Sequence, residues 1–274
     1  MTIVLAVVAG ALIGLSLGTL GGGGSILAVP VLVYLLDQSA MQATTGSLVV
    51  VAVTSILGAV TAYRAGNVMV GRGIAFGVVA IGGAVVGGHA STLVSPAVLM
   101  AAFALLMLMV GGIMTWRQLH RSRRTAQRLG DRPMLDDPII TFTPTFACAC
   151  PRAAKVLITA TVVGMLTGFL GVGGGFLVVP ALLLALGLPI RYAAGTSLVV
   201  ITITSAAALA VRAGSGAGPD WGVVLMLTAV SAVSAVVGAR VANRVDSVRL
   251  SAAFTVLVLG VAVYTAIRAL PALV

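Results

Sequence analysis

Two clusters of glycine interrupt apolar stretches of this chain at Gly21–Gly24 and at Gly171–Gly175, and Ser25 follows the first. Glycine costs about 1 kcal/mol relative to alanine inside a helix, so both clusters predict a helix break. A helix that restarts after a break has unpaired N–H groups and about half a positive charge at its new N-terminus. Because glycine lets a ligand approach the backbone closely, these clusters indicate a binding site for a small oxyanion.

A second polar set follows each cluster, Thr44–Ser47 in the first case and Gly195–Ser197 in the second. We expect these sets to open helices whose amides and hydroxyls face the same cavity, although Ser and Thr hydroxyls also bond to the preceding helical turn. The candidate substrate-binding residues are Gly21, Gly22, Gly23, Gly24, Ser25, Ser47, Gly171, Gly173, Gly174, Gly175, Thr196 and Ser197.

The elements that carry these residues are predicted to be membrane helices. Hydrophobic residues make up 60% of the 274 residues and charged residues only 8%, against about 25% in soluble domains. This composition excludes a soluble globule, a disordered chain and a coiled coil, and it predicts an all-α polytopic membrane protein. The apolar stretches contain no Asp, Glu or Lys suited to a metal or a proton, which argues against a cation pump and predicts neither a cofactor nor a metal site. No Lys follows the glycines and no βαβ unit surrounds them, so a nucleotide site and an enzyme are disfavoured.

The chain contains an internal repeat. Residues 14–55 match residues 164–205 at an offset of 150, and later segments match at an offset of 151. We therefore divide the chain into a first transmembrane repeat (1–117), a connector (118–153) and a second repeat (154–274). Each repeat is predicted to have five helical segments, the second of which, at 25–36 and at 175–187, is too short to span a membrane untilted. With the segment before it, this short segment forms either a hairpin that enters the membrane part-way or a tight hairpin that crosses it fully.

The basic residues predict the orientation. Either hairpin gives each repeat an odd number of crossings, so the second repeat is inverted relative to the first. Fourteen of the sixteen Lys and Arg residues then fall on one side, which the positive-inside rule makes cytoplasmic. This predicts an inner-membrane protein with a cytoplasmic connector and both termini outside. The net charge of +10 reflects topology rather than nucleic-acid binding, and the expected partners are the lipid bilayer and a small anion, with a homo-oligomer left open.

At these motifs the chain resembles the TauE/SafE sulfite exporter family. The resemblance rests on the glycine clusters with their prolines at Pro30 and Pro180, and on Gly195–Ser197 with the leucine after it. It implies a permease for a small sulfur-containing anion such as sulfite, sulfoacetate or a related sulfonate, with substrate between two inverted halves. We expect such a permease to work by alternating access. The first half departs from the pattern, because Thr45, Gly46 and Ser47 stand where the second has Gly195, Thr196 and Ser197.

Other features have simpler interpretations. The spacing of Gly14 with Gly18, and of Gly164 with Gly168, predicts close helix packing. Arg64 and Arg212 follow equivalent segments and are interpreted as interfacial side chains, with anion attraction as the alternative. Cys148 and Cys150 offer a second functional hypothesis, in which the membrane body is a scaffold for redox or metal-assembly chemistry at a thiol pair.

Overall fold

The computed structural model describes residues 2–91, 93–94, 96–121, 150–170, 175–185, 187–212, 219–242 and 244–269. Within these ranges the regular structure is helical and contains no strand. The helices are α1 (Thr2–Leu20), α2 (Gly23–Pro30), α3 (Ala40–Arg64), α4 (Val70–Ser91), α5 (Pro96–Arg121), α6 (Cys150–Leu170), α7 (Gly175–Ala185), α8 (Ile190–Arg212), α9 (Trp221–Ala242) and α10 (Ser247–Ala269). A π-helical turn, Val31–Leu35, extends α2.

The helices confirm an all-α polytopic membrane protein. In the described part of the chain, five are long and apolar enough to cross a membrane: most of α3 and α10, and the whole of α4, α8 and α9. Their outward faces carry apolar side chains, such as Val233 on α9 and Val256 on α10, which are 69% and 71% exposed. Exposed apolar surface on this scale is stable against lipid and costly in water.

The first glycine cluster turns the chain back on itself. Only Gly21 and Gly22 separate α1 from α2, and Gly21 has a φ of +73°, a left-handed conformation that glycine adopts without strain. A Cβ at Gly24 would overlap the carbonyl oxygen of Ile13 and lie 2.5 Å from the Cβ of Leu17, which places the start of α2 against the middle of α1. The two helices therefore form a hairpin, and α2 with its π-helical turn spans only about 20 Å.

One expectation about the polar sets is wrong. α3 begins at Ala40 and α8 at Ile190, so Thr44–Ser47 and Gly195–Ser197 lie one turn or more inside their helices and do not open them. Ser39 is the N-cap of α3, and its hydroxyl accepts a hydrogen bond from the amide of Gln42 at 3.4 Å. Since amides beyond the first turn bond within the helix, those of the polar sets are not available to a ligand.

The glycine pairs predicted to pack helices do so. Gly14 and Gly18 of α1 lie against α9, where a Cβ would overlap the carbonyl oxygens of Ser231 and Ala235. Gly164 and Gly168 of α6 lie against α4 in the same way, and a Cβ there would overlap the carbonyl oxygens of its residues 80 and 84. In both pairs the residue numbers rise together, so α1 runs parallel to α9 and α6 runs parallel to α4.

The centre of the molecule is the crossing of α3 and α8. The hydroxyls of Ser55 and Thr202 lie 2.9 Å apart, and Thr44 at the start of α3 contacts Arg212 at the end of α8. The two helices are therefore antiparallel. They hold equivalent places in the predicted repeats, and opposite directions are what an inverted repeat requires. The repeat itself stays a prediction, as do the domain boundaries at 117 and 153.

We expect Gly168→Ala to destabilise the protein, because its methyl group overlaps the backbone of Ala84 and overpacking of this kind typically costs about 1–3 kcal/mol. The matched control is Gly82→Ala on α4, where a Cβ has no neighbour within 4 Å among the described residues. The thermal midpoint of the detergent-solubilised protein should fall in the first variant and stay level or rise in the second. Equal midpoints would contradict the packing.

Candidate functional site

The starts of α2 and α7 meet inside the protein. A Cβ at Gly175, the first residue of α7, would lie 3.0 Å from the Cα of Gly22 and 2.6 Å from the hydroxyl oxygen of Ser25. Gly175 and Ser25 are buried. The starts of α2 and α7 thus pack directly on each other, and any side chain at Gly175 would separate them. We call this contact the junction; it comprises Gly21, Gly22, Ser25, Gly175 and Ser197.

α8 forms a wall of the junction. A Cβ at Gly21 would lie 2.6 Å from the carbonyl oxygen of Ala194 and 2.7 Å from the hydroxyl oxygen of Ser197. Gly21 is therefore required twice, for its positive φ and for its close approach to α8. The glycine of the first break and the serine of the second polar set come together here, as the sequence predicts.

The backbone of α2 supplies the donors at the junction. Gly22 is the N-cap residue, and no side chain caps the helix. In helix geometry the first amides of α2, those of Gly23 and Gly24, have no carbonyl partner one turn earlier in the same helix. They lie at the end of the helix dipole that favours negative charge.

The serine hydroxyls take the second of the two orientations that the sequence allows, bonding to the preceding helical turn. Each donates its proton to a carbonyl three residues earlier: Ser25 to Gly22, Ser47 to Thr44 and Ser197 to Ala194, at 2.7–2.8 Å. All three side chains are fully buried. To act as donors to a ligand, these hydroxyls must leave the carbonyls they now bond, so Ser25 neither caps α2 nor offers a spare proton in this conformation.

The remaining candidates direct their Cβ positions or side chains away from the junction, or they lie outside the described residues. Gly23 faces Leu20 and Leu257, and Gly24 packs against α1. The hydroxyl oxygen of Thr196 accepts a hydrogen bond from the amide of Met69 at 3.0 Å, which ties the loop after α3 to α8. Gly171, Gly173 and Gly174 fall outside the described residues, as does Cys148, while Cys150 begins α6.

An arginine that our sequence analysis used only for topology lies next to the junction. Arg191, at the start of α8, lines a cavity of about 30 Å³ together with Gly18, Asn67 and Ala194. Its Nη2 atom donates to the carbonyl oxygen of Val245, between α9 and α10, at 2.8 Å. The sequence signal was its position four residues before Gly195, one helical turn along the same face.

A second arginine lies at the opposite end of α8. Arg212 donates from Nη1 to the hydroxyl of Thr44 at 2.7 Å and is only partly exposed, whereas Arg64 is exposed. The interfacial interpretation fits Arg64, while Arg212 reaches inward onto α3. The central helix α8 therefore carries an arginine at each end. Arg191 contacts the connection between α9 and α10, and Arg212 contacts the first turns of α3.

The described residues contain no group of three His, Cys, Asp or Glu side chains placed to hold a metal ion. The junction is built from backbone groups and neutral hydroxyls.

Comparison with known proteins decides the family. The sequence profile of the family described as Sulfite exporter TauE/SafE matches residues 6–265. The chain belongs to this family. The match covers both predicted repeats and both glycine clusters, which confirms the resemblance seen in the sequence.

Curated relatives of this TauE/SafE chain are named as transporters. A "Probable membrane transporter protein" from Xylella fastidiosa (strain Temecula1) is 33% identical over 201 residues, which cover 73% of this chain and 70% of the relative. The "Probable membrane transporter protein YunE" from Bacillus subtilis is 27% identical over 212 residues, covering 75% and 76% of the two chains. No solved structure matches the chain significantly. Family and helices together identify a multi-pass membrane transporter.

Proposed function

We propose that the protein is an inner-membrane permease for a small anion, with the substrate-binding site at the junction. The observation that carries this proposal is the contact between the starts of α2 and α7, where Gly22 and Gly175 bring two helix N-termini together inside a membrane protein. Interrupted helices at corresponding positions of two halves are the arrangement by which many transporters bind substrates near the bilayer midplane.

The chemistry of the junction favours an anion over a cation. Two helix N-termini present backbone N–H groups and positive dipole ends to the same place, and neither the junction nor its wall contains a carboxylate. A metal cation prefers carboxylate and carbonyl oxygens. An oxyanion prefers several convergent N–H and O–H donors, which the amides provide directly and Ser25 and Ser197 provide after rotation of their hydroxyls.

The proposed mechanism is alternating access by movement of one half against the other. The antiparallel crossing of α3 and α8 supports this mechanism. The two helices hold equivalent places in the two predicted halves and run in opposite directions, so each half can contact the site in the same way from opposite sides of the membrane. Close glycine packing of α1 on α9 and of α6 on α4 joins helices of different halves, so a movement of one half against the other has to shift these contacts.

The proposed substrate is a sulfur-containing anion such as sulfite, sulfoacetate or another sulfonate. The support is the description of the family as sulfite exporters, since the names of the relatives specify transport and no substrate. Sulfite and sulfonates carry three oxygens on one sulfur, which suits donors that converge from two helix ends.

We expect Gly175→Ala to reduce transport at least tenfold while the protein still inserts and folds, because the added methyl group fills the space between Gly22 and Ser25. Counterflow of radiolabelled sulfite, sulfoacetate, thiosulfate and sulfate in proteoliposomes measures this and selects the substrate. The control is Gly260→Ala on α10, where a Cβ has no neighbour within 4 Å among the described residues.

The same assay separates the thiol hypothesis. If activity persists in Gly175→Ala and is lost when Cys148 and Cys150 are replaced by serine, the junction is not the site and the redox or metal-assembly function stands instead.

The proposed topology places the junction between a cytoplasmic face that carries the connector and an outer face that carries both termini. Leu93, after α4, is 87% exposed at one end of the bundle, and Arg244, after α9, is exposed at the other. In a background with both native cysteines replaced, a membrane-impermeant maleimide should label Leu93→Cys in intact cells and Arg244→Cys only after permeabilisation. Labelling of both from the same side would refute the topology.

A further inference from the structure

Arg191 holds a charge that the described residues do not neutralise. The ion pair seen in the described part of the chain joins Arg249 to Asp246 at 4.0 Å, and both of those side chains are about four-fifths exposed. Arg191 instead bonds to the neutral carbonyl of Val245, and its Nε is buried with no hydrogen-bond partner among the described residues. A buried guanidinium nitrogen without a partner is costly, so its retention calls for a ligand.

The unpartnered atom belongs to the edge of the guanidinium that recognises oxyanions. Nε and Nη2 point their N–H bonds in the same direction, and this fork matches two oxygens of a carboxylate, phosphate or sulfonate. In the structure the Nη2 member of the fork bonds to Val245 and the Nε member does not bond. The edge of the guanidinium that can bind two oxygens of an anion therefore binds a single neutral carbonyl oxygen.

The cavity beside Arg191 lies next to the junction. Ala194 lines the cavity with one part of its surface, and its carbonyl and Cα lie at the close contact with Gly21. Gly18, at the end of α1, forms another wall. The cavity has a volume of about 30 Å³, which is enough to hold water next to Arg191.

Val245 supplies the neutral carbonyl that Arg191 holds. It lies in the short connection between α9 and α10, and its carbonyl is held by Nη2 of Arg191. When an anion takes both Nε and Nη2, this hydrogen bond breaks and the connection is released. Anion binding at both Nε and Nη2 and the hydrogen bond to Val245 thus exclude each other.

We propose that Arg191 is the anion-recognition residue at this mouth of the transport path, where its Nε–Nη2 edge binds a small oxyanion or sulfonate in exchange for the carbonyl of Val245. This inference rests on the proposed function and adds a specific residue that acts before the substrate reaches the junction. It also makes the two mouths unequal, because Met41 stands at the position equivalent to Arg191 in the first repeat.

The test measures transport from each side of the membrane separately. Inside-out and right-side-out vesicles are supplied with radiolabelled sulfite, sulfate and thiosulfate, and KM and kcat are compared for the wild type, Arg191→Gln and Arg191→Lys. In the proposed topology we expect Arg191→Gln to raise KM about tenfold or more from the cytoplasmic side, in inside-out vesicles, with kcat nearly unchanged. KM from the other side should stay the same, and Arg191→Lys should fall between, because it keeps the charge and loses the fork.

The matched control is Arg240→Gln, which removes an exposed arginine from the C-terminal end of α9, just before the connection that contains Val245. It should leave KM unchanged from both sides. The Arg191 site is contradicted if Arg191→Gln keeps the wild-type KM on its own side, or if it lowers kcat equally from both sides as a folding defect does. Wild-type vesicles that carry none of these three anions and no sulfoacetate would contradict the proposed function, and the Arg191 site with it.

Discussion

Every backbone N–H and C=O group inside a membrane must find a partner within the protein, since each unpaired group in hydrocarbon costs several kcal/mol. A chain that breaks two helices at the glycine clusters therefore has to enclose both breaks. Here the helix starts after the two clusters cover each other: Gly22 and Gly175 are in contact, and α8 covers Gly21. This arrangement brings the positive ends of two helix dipoles close together. At a separation of about 5 Å and an effective dielectric constant of about 20, two half charges repel by about 1 kcal/mol. An anion between them turns that repulsion into attraction. The C-terminus of α1, the negative end of its helix dipole, lies only two residues from the start of α2. It offsets the positive charge of α2 at longer range, so an anion is attracted mainly at contact distance.

The rest of the fold holds this contact in place through small residues. α1 and α6 approach α9 and α4 so closely that a single methyl group at Gly18 or Gly168 would overlap the partner backbone. Without a hydrophobic force between helices in lipid, such contacts supply much of the association energy. α8 lies at the centre because it meets α3 along its length, covers the first break, and carries an arginine at each end. The proposed transport site, its two proposed mouths and the antiparallel crossing with α3 are thus all features of one helix.

The sequence predicted those parts of the structure that depend on glycine. The breaks, the hairpin of α1 and α2, the packing role of Gly14 and Gly168, and the approach of Ser197 to the first break follow from where glycine and serine stand in apolar stretches. What it did not predict depends on tertiary contacts. The starts of α3 and α8 were placed too late, because Ser39 caps α3 and a run of threonines looked like a helix start. The serine hydroxyls bond to carbonyls of the preceding turn, an alternative that the sequence left open because it does not decide between a helix start and a helix interior. Thr196 looked like a donor, and it accepts from the amide of Met69 across 127 residues of chain. Arg191 looked like a topology signal because only the fold brings Val245 and the cavity to it.

The most direct test of this account is the position of a bound anion. Selenite, a heavier analogue of sulfite, can be located by its anomalous scattering in crystals of the full chain grown with the ion. The account predicts a peak within hydrogen-bonding distance of the backbone amides at the starts of α2 and α7, beside Ser25 and Ser197. Selenite bound only elsewhere, or a continuous helix through residues 20–24 in that structure, would contradict it.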